Sequence, residues 1–369
     1  MKRLNYIDGL KGWCAVSVCV FHFLLIFVID GYIGWKCLPE AALNPFEYYF
    51  EWFPYSILTN NSFPLYIFFA LTSFIVSYTF MKNKSDDKLK QKIVMRYFRF
   101  LPLVLIACFV AYLLLAFKLC PLEEFYNITG NTWGLARLEE SYTFLDMLKI
   151  GFFSSFFEGT QLVSPFWCLH YIFLGSMLSF IMMLLYTKVD NKIFFFGSAL
   201  LMFYFVDQNY LAFIMGLIAG ILANKEYSMS KAKGAVLIAA GCVFGVFPPV
   251  LLPSFINVVA LYALGAGFVI VGIHCCFSNN RLLCNKFAEF LGKESLALIV
   301  WQFLIMQSLN IFTYNRFYNA GMSLPINIVI NFVINMSVSI FLTWVSAKTI
   351  TPLTNVLCNR VSALLWKRP

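Results

Sequence analysis

The sequence predicts an all-α polytopic membrane protein with about ten transmembrane helices and both termini in the cytoplasm. Three observations support this fold class. Hydrophobic residues make up 61% of the 369-residue chain and charged residues only 12%, which excludes a water-soluble globular protein of this size. Apolar segments recur along nearly the whole chain, and most match the roughly 20 residues that a helix needs to cross a bilayer. The basic residues lie mainly on one predicted side of the membrane.

Ten apolar segments are the predicted spans. The first is expected to remain as a span, because it is long and lacks a clear cleavage site of small residues. Two segments, 193–206 and 209–223, are short enough to be tilted or re-entrant. The ten lie at 12–30, 64–81, 100–117, 165–186, 193–206, 209–223, 235–252, 255–277, 295–312 and 325–347.

Orientation follows from the lysines and arginines. With the N-terminus inside, all but five of the 27 basic residues fall on the cytoplasmic side, and the five are Lys36, Lys118, Arg137, Lys149 and Arg316. Cytoplasmic loops are normally the basic ones. The net charge of +9 is therefore explained by topology and by attraction to anionic lipid, and no nucleic-acid partner is expected.

The whole chain, 1–369, is predicted to form a single integral-membrane domain. Its two long external loops, 31–63 and 118–164, are rich in acidic and aromatic residues. Loops of this length in a compact protein are usually functional. We expect them to form a small cap over the outer mouth.

The first predicted span carries two residues that share one helical face. Eleven residues separate Lys11 from His22, which is about three helical turns plus ~20°, with ~16 Å of rise. Lys11 is expected at the membrane surface and His22 near mid-bilayer, where ionisable groups are costly and usually line a pathway. His22 is the catalytic candidate, with polar packing as the alternative, whereas His170 and His274 are expected to be structural. Asp8 is expected to orient Lys11, with an exposed interfacial acid as its alternative.

Two arginines at the start of the third predicted span form a second candidate site. Arg96 and Arg99 share a helical face just before Pro102, because residues three apart are neighbours on a helix. Arginine pairs suit bidentate binding of phosphate oxygens, and an ordinary positive-inside anchor is the alternative. No cysteine pair has a zinc-ligand spacing supported by nearby histidines, so neither a metal nor a bound cofactor is expected.

Five short motifs, in order along the chain, resemble those of the membrane acyltransferase-3 family. The resemblance covers roughly residues 4 to 312. The motifs are Tyr6–Gly12 followed by His22, Phe68–Phe74, Arg96–Arg99 followed by Pro102, Phe166–Leu169 with Gly175–Met177, and Leu291–Trp301.

The resemblance implies an activity and a set of site residues. Members of this family move acyl groups, usually acetyl, from coenzyme A to hydroxyls of carbohydrates and other small acceptors. It implies that His22 is catalytic and that acyl-CoA, the donor substrate, is bound by Lys11, Arg96 and Arg99. The supporting residues would be Asp8, Ser73 and Trp167. The acceptor would be an exopolysaccharide, a cell-wall glycan or a lipid-linked sugar. Independently of the resemblance, the richness in Phe, Ile, Asn and Lys and the absence of organelle-targeting signals favour a bacterial plasma membrane as the location.

The sequence departs from the family pattern in the second motif, where Thr72-Ser73 replaces the usual Ser-Gly, and at three further positions. Lys11 replaces the usual arginine, Ile172 stands where glutamate is common, and Gln302 stands where histidine is frequent. The departures at Ile172 and Gln302 leave open the acceptor class and a catalytically silent member. A transporter or flippase is the other alternative, because short interrupted helices near Asp207 and a buried histidine also suit a proton-coupled carrier. The sequence does not decide between direct acyl transfer and an acyl-histidine intermediate.

Overall fold

A computed structural model describes residues 4–27, 62–130, 142–160, 162–225, 229–247, 252–253 and 255–366. The regular structure of these residues is helical throughout, which confirms the predicted all-α class. The helices, numbered in chain order, are α1 (Asn5–Phe27), α2 (Ser62–Asn83), α3 (Asp86–Ala116), α4 (Leu122–Thr129), α5 (Phe144–Lys149), α6 (Phe166–Tyr186), α7 (Lys192–Val206), α8 (Leu211–Ala223), α9 (Lys231–Gly245), α10 (Val258–Gly272), α11 (Lys286–Lys293), α12 (Ser295–Ile305), α13 (Ile311–Asn319), α14 (Leu324–Lys348) and α15 (Ile350–Leu365).

Seven helical segments are long and apolar enough to cross a membrane, so the protein is a multi-pass membrane protein. In the described residues they are Asn5–Phe27, Ser62–Asn83, Asp86–Ala116, Phe166–Tyr186, Val258–Cys276, Ser295–Asn319 and Leu324–Leu365. The three other predicted spans correspond to shorter helices, α7, α8 and α9. The count of ten spans and the cytoplasmic position of both termini stay predictions.

The predicted cap is described only in part. Most of loop 31–63 lies outside the described residues, as does part of loop 118–164. Within the second loop, α4 ends at Thr129 and is capped by Gly130, whose φ of 75° suits a glycine. Helix α5 begins with a reciprocal capping box between Thr143 and Asp146, and hydrogen bonds from Thr143 lower the pKa of the Asp146 carboxyl.

The chain divides into two compact units. The first comprises Met1–Val18, Phe50–Val94 and Tyr171–Lys293, and the second comprises Cys19–Tyr49, Met95–His170 and Glu294–Pro369. Three long helices, α1, α3 and α6, contribute residues to both units. The single integral-membrane domain stays a prediction.

In the first unit, small residues allow α8 to pack tightly against α2. A Cβ added to Gly216 would lie 2.0 Å from the carbonyl oxygen of Ala70, and one added to Gly220 would lie 2.1 Å from Ser77 Oγ. Such close backbone approach is typical of helix pairs in membranes, because lipid tails supply no hydrophobic force between helices. Next to this contact lies an apolar core of Val76, Phe80, Leu89, Phe180, Met182, Met183, Ile214, Leu217 and Ile221.

In the second unit, α14 buries a polar face and exposes an apolar one. Its six buried residues recur every three or four positions and are Asn327, Asn331, Asn335, Ser339, Thr343 and Ser346. On the opposite face, Val329, Val333 and Phe341 are more than half exposed. This pattern suits a helix whose outer face meets lipid, because polar side chains can then hydrogen-bond to neighbouring helices.

Candidate active site

His22 lies near the end of α1 and is half-buried. Its ring is close to the side chain of Gln302 on α12 and can hydrogen-bond with it. The Nδ1 atom is buried, and no described residue provides a hydrogen-bond partner of full geometry. One edge of the imidazole is therefore enclosed by protein, while part of the ring remains accessible.

Gln302 is fully buried beside the histidine. Its Nε2 atom donates to the backbone oxygen of Cys19 at 3.2 Å, one turn before His22 on the same helix. Its backbone oxygen accepts from Asn335 Nδ2 at 3.3 Å. In the sequence, Gln302 stands out only as a departure from the family pattern. In the structure, it lies next to His22.

Lys11 lies in the second turn of α1, and its side chain is half-buried. Its Nζ atom is 5.7 Å from the centroid of the Phe68 ring, within the range of a cation–π contact. Because α1 is continuous from Asn5 to Phe27, Lys11 and His22 are separated by ~16 Å along one helix axis. Phe68 opens the second motif, so the first two motifs meet at Lys11.

The first motif also meets the last one, through glycines. A Cβ on Gly292 would lie 1.6 Å from the carbonyl oxygen of Asp8, and one on Gly9 would lie 1.9 Å from that of Leu283. Gly12 approaches Ala288 in the same way, at 2.4 Å. Asp8 itself is 8% exposed, which does not fit the alternative of an exposed interfacial acid. Its role in orienting Lys11 stays a prediction.

The arginine pair lies on α3, in the second unit. Arg96 is half-buried and Arg99 is exposed. The Arg96 guanidinium lies over the Phe100 ring, with its Cζ 4.7 Å from the centroid. The two guanidiniums are near enough to interact electrostatically. Pro102 lies inside the helix, so the backbone just after the pair lacks one helical hydrogen bond.

The two remaining predicted site residues differ in their surroundings. Ser73 is fully buried, and its hydroxyl shares a 2.6 Å hydrogen bond with that of Ser179. This contact joins α2 to α6, so it supports packing between the helices. Trp167 is 42% exposed at the start of α6. The supporting roles of both residues stay predictions.

The other two histidines make contacts typical of structural residues. His170 Nδ1 is 3.2 Å from the backbone oxygen of Phe156. His274 Nδ1 is 2.5 Å from the Tyr6 hydroxyl, and its ring lies against Phe74 and Tyr78. Both histidines are half-buried.

Comparison with known families decides the class of the protein. The profile described as an acyltransferase domain, Acyl_transf_3, matches residues 4–347. The chain belongs to the acyltransferase-3 family. It is therefore a membrane protein of an acyltransferase family, as the five motifs predict. Neither a curated protein nor a solved structure shows a significant match to the chain.

Two of the departures from the family pattern lie in buried positions of this acyltransferase-3 member. Ile172 is 6% exposed and lies beside Phe173, which is also buried, on α6. Gln302 lies next to His22. In the described part of the chain, no group of three or more His, Cys, Asp or Glu residues could hold a metal ion.

The interruption near Asp207 has a local structural cause. The Asp207 carboxylate accepts hydrogen bonds from the backbone and the side-chain nitrogen of Asn209, at 3.0 and 2.9 Å. Asn209 Oδ1 in turn accepts from the Tyr66 hydroxyl at 2.5 Å. Asp207 therefore caps the turn between α7 and α8, which accounts for an acid at this break without a transport role.

Proposed function

We propose that the protein is a membrane O-acyltransferase that moves an acetyl group from acetyl-CoA to a hydroxyl of a cell-surface or extracellular carbohydrate. The observation that carries this proposal is the half-buried imidazole of His22 within an apolar helix of an acyltransferase-3 chain. Ionisable side chains inside a membrane are costly and usually functional. A neutral imidazole also has one ring nitrogen with a lone pair, which can accept the proton of a hydroxyl.

The proposed chemistry needs a ring nitrogen of His22 with a free lone pair. In direct transfer, this nitrogen takes the proton of the acceptor hydroxyl while the hydroxyl oxygen attacks the thioester carbonyl. In the two-step route, the same nitrogen accepts the acyl group and then passes it to the acceptor. The energy in both cases comes from breaking the thioester, and no nucleotide is hydrolysed.

The proposed donor ligands are the cations Lys11, Arg96 and Arg99, which would bind the phosphates of acyl-CoA. Two properties of the arginines support this assignment. Arg99 is exposed, so its guanidinium is not enclosed by other protein groups, and Arg96 is oriented by stacking on Phe100. Bidentate guanidinium–phosphate pairs are among the stronger hydrogen bonds in proteins.

The acceptor and the location belong to the same proposal. We expect an acceptor rich in hydroxyls, such as an exopolysaccharide, a cell-wall glycan or a lipid-linked sugar. The multi-pass helices fit a plasma-membrane enzyme, which we propose to be that of a bacterial cell. Asp8, Ser73 and Trp167 are proposed to support the site through packing and orientation.

Acceptor-dependent release of coenzyme A tests this function. Purified protein is given acetyl-CoA with and without fractionated glycans, and free thiol and acetylated glycan are measured. We expect one glycan class to stimulate release and to gain acetyl esters. We also expect acetyl-CoA to raise the thermal stability, because a ligand at 100 times its Kd stabilises by about 2.7 kcal/mol. Thermal stabilisation without transfer to any glycan would indicate a silent member, and the absence of both would contradict the proposal.

A further inference from the structure

Gln302 is held in one orientation by contacts at both ends of the residue. Its Nε2 atom donates to Cys19 O and lies 3.5 Å from Met306 Sδ. Its backbone oxygen accepts from Asn335 Nδ2, which also donates to Asn310 Oδ1 at 2.8 Å. Because a backbone carbonyl can only accept, the Cys19 contact assigns the nitrogen of the Gln302 amide and leaves Oε1 on the other side.

Two buried atoms, one on each of two neighbouring side chains, have no hydrogen-bond partner among the described residues. They are Nδ1 of His22 and Oε1 of Gln302, on side chains that are close enough to interact. The two atoms are chemically complementary, because an amide oxygen only accepts whereas an imidazole nitrogen can carry a proton and donate. Buried polar atoms without partners are rare and costly. Hydrogen bonds of a catalytic site are often poorly aligned until substrate binds.

We propose that Gln302 is a positioning residue for His22. Its Oε1 atom accepts a hydrogen bond from Nδ1–H and so fixes both the angle of the ring and its tautomer. The lone pair then lies on Nε2, the nitrogen on the opposite side of the ring. This inference rests on the proposed function only in its kinetic part, since the tautomer itself can be observed without turnover.

The proton balance of direct transfer follows from this tautomer. Nε2 takes the proton of the acceptor hydroxyl as the hydroxyl oxygen bonds to the acyl carbon. The carbon–sulfur bond then breaks, and the departing thiolate of coenzyme A receives the proton from Nε2. Nδ1–H remains bonded to Gln302 throughout, and a neutral amide holds the ring as a carboxylate does in other histidine sites.

The kinetic test uses an isosteric variant. Gln302→Met keeps the length and volume of the side chain but removes the strong acceptor, whereas Gln302→Glu keeps an acceptor oxygen. We expect Gln302→Met to lower kcat by about 10- to 100-fold, the usual effect of removing a group that orients a histidine, with the KM for acetyl-CoA within twofold. Gln302→Glu should recover at least part of kcat.

A matched control separates positioning from packing. Gln307 is of the same residue type, is also buried and lies in the π-helical turn that follows α12. Gln307→Met should leave kcat near the wild-type value. If Gln302→Met also retains wild-type kcat while His22→Ala is inactive, positioning is contradicted and the proposed function stands. If His22→Ala is fully active, the proposed function fails as well.

The tautomer can be read directly by nitrogen-15 NMR of labelled histidine, because the chain has only 3 histidines and His22→Ala assigns the signal. In the wild-type protein we expect a protonated Nδ1 and an unprotonated Nε2 at neutral pH. In Gln302→Met this preference should be lost, even in a preparation without activity. A wild-type ring that carries its proton on Nε2 would overturn the proposal.

Discussion

At the scale of single residues, three cations and one imidazole make up the proposed site. His22 is half-buried and has a buried amide as its neighbour. The arginines differ in exposure, and Arg96 is packed on an aromatic ring. These surroundings fit different proposed roles, with catalysis at His22 and acyl-CoA binding at the arginines. Binding and turnover should therefore respond separately to substitution.

The arginine pair gives the first prediction. Replacing both Arg96 and Arg99 by Ala should weaken acetyl-CoA binding by at least about tenfold per arginine, because hydrogen bonds to charged groups contribute about 1.5–3 kcal/mol. Isothermal titration with acetyl-CoA measures the loss. S-acetylpantetheine, which lacks the nucleotide phosphates, should bind the variant and the wild type equally.

Lys90→Ala is the matched control for that experiment. Lys90 lies on the same helix and forms an exposed ion pair with Asp87, at 3.5 Å, a kind of contact that contributes little to stability. Its replacement should leave donor affinity unchanged. Equal affinity in the double arginine variant would contradict the phosphate-binding assignment and would favour an ordinary membrane anchor.

At the scale of helices, close packing at glycines joins the first and last motifs. Gly292→Ala would place a Cβ 1.6 Å from the backbone oxygen of Asp8, a clash that no side-chain rotamer relieves. Overpacking costs 1–3 kcal/mol or more, so we expect a large drop in melting temperature or no folded protein. In Gly197→Ala, nothing lies within 4 Å of the new Cβ, and stability should be unchanged or slightly higher. Equal melting temperatures for the two variants would contradict the packing.

The polar face of α14 gives a second prediction at this scale. Asn331 Oδ1 accepts from Thr313 Oγ1 at 2.5 Å and from Asn310 Nδ2 at 3.1 Å, while its Nδ2 donates to Asn327 Oδ1 at 2.7 Å. Asn331→Ala should therefore destabilise by about 1–2 kcal/mol, the range for hydrogen bonds between membrane helices. Denaturant titration in detergent micelles measures this loss.

The control for Asn331 lies on the same helix. Val333 is 57% exposed and faces away from the polar contacts. Val333→Ala removes only lipid-facing surface, so its unfolding free energy should stay within about 0.5 kcal/mol of the wild type, as for most surface substitutions. Equal destabilisation by both substitutions would mean that the polar face does not join the helices.

At the scale of the whole molecule, the topology stays a prediction that experiment can settle. Basic residues favour the cytoplasmic side, so the N-terminus and residue 88 should be inside and residue 118 outside. A single cysteine is placed at Lys88 or Lys118 in a cysteine-free background and tested with a membrane-impermeant thiol reagent on intact cells. We expect labelling at 118 only, and labelling at 88 would reverse the orientation.

Much of the fold could be predicted because membrane-spanning helices are recognisable in a sequence by their length and hydrophobic composition. The segment 325–347 corresponds to α14, and 64–81 to α2, within a few residues. The ends of the short helices are harder to predict from sequence. Asp207 ends α7 through local hydrogen bonds with Asn209, and hydropathy does not reveal such bonds.

The candidate site could be predicted only in part. Motif resemblance identified His22 and the arginines, which are local in sequence. The proximity of Gln302 to His22 depends on packing between helices almost 300 residues apart. Contacts of this kind cannot be recognised in a single sequence. The repeat of Asn327, Asn331 and Asn335 was the available signal for the polar face, because a four-residue spacing places side chains on one side of a helix.

The most direct test of the central claim compares coenzyme A release by the wild type, His22→Ala and the control His170→Ala, at saturating acetyl-CoA and with the identified acceptor. We expect His22→Ala to lose at least about 100-fold in kcat, the lower end of general-base effects, while its affinity for acetyl-CoA stays unchanged. His170→Ala should keep its activity, because the Nδ1 atom of that ring lies 3.2 Å from the backbone oxygen of Phe156, a contact typical of a structural histidine. Wild-type turnover by His22→Ala would contradict the account.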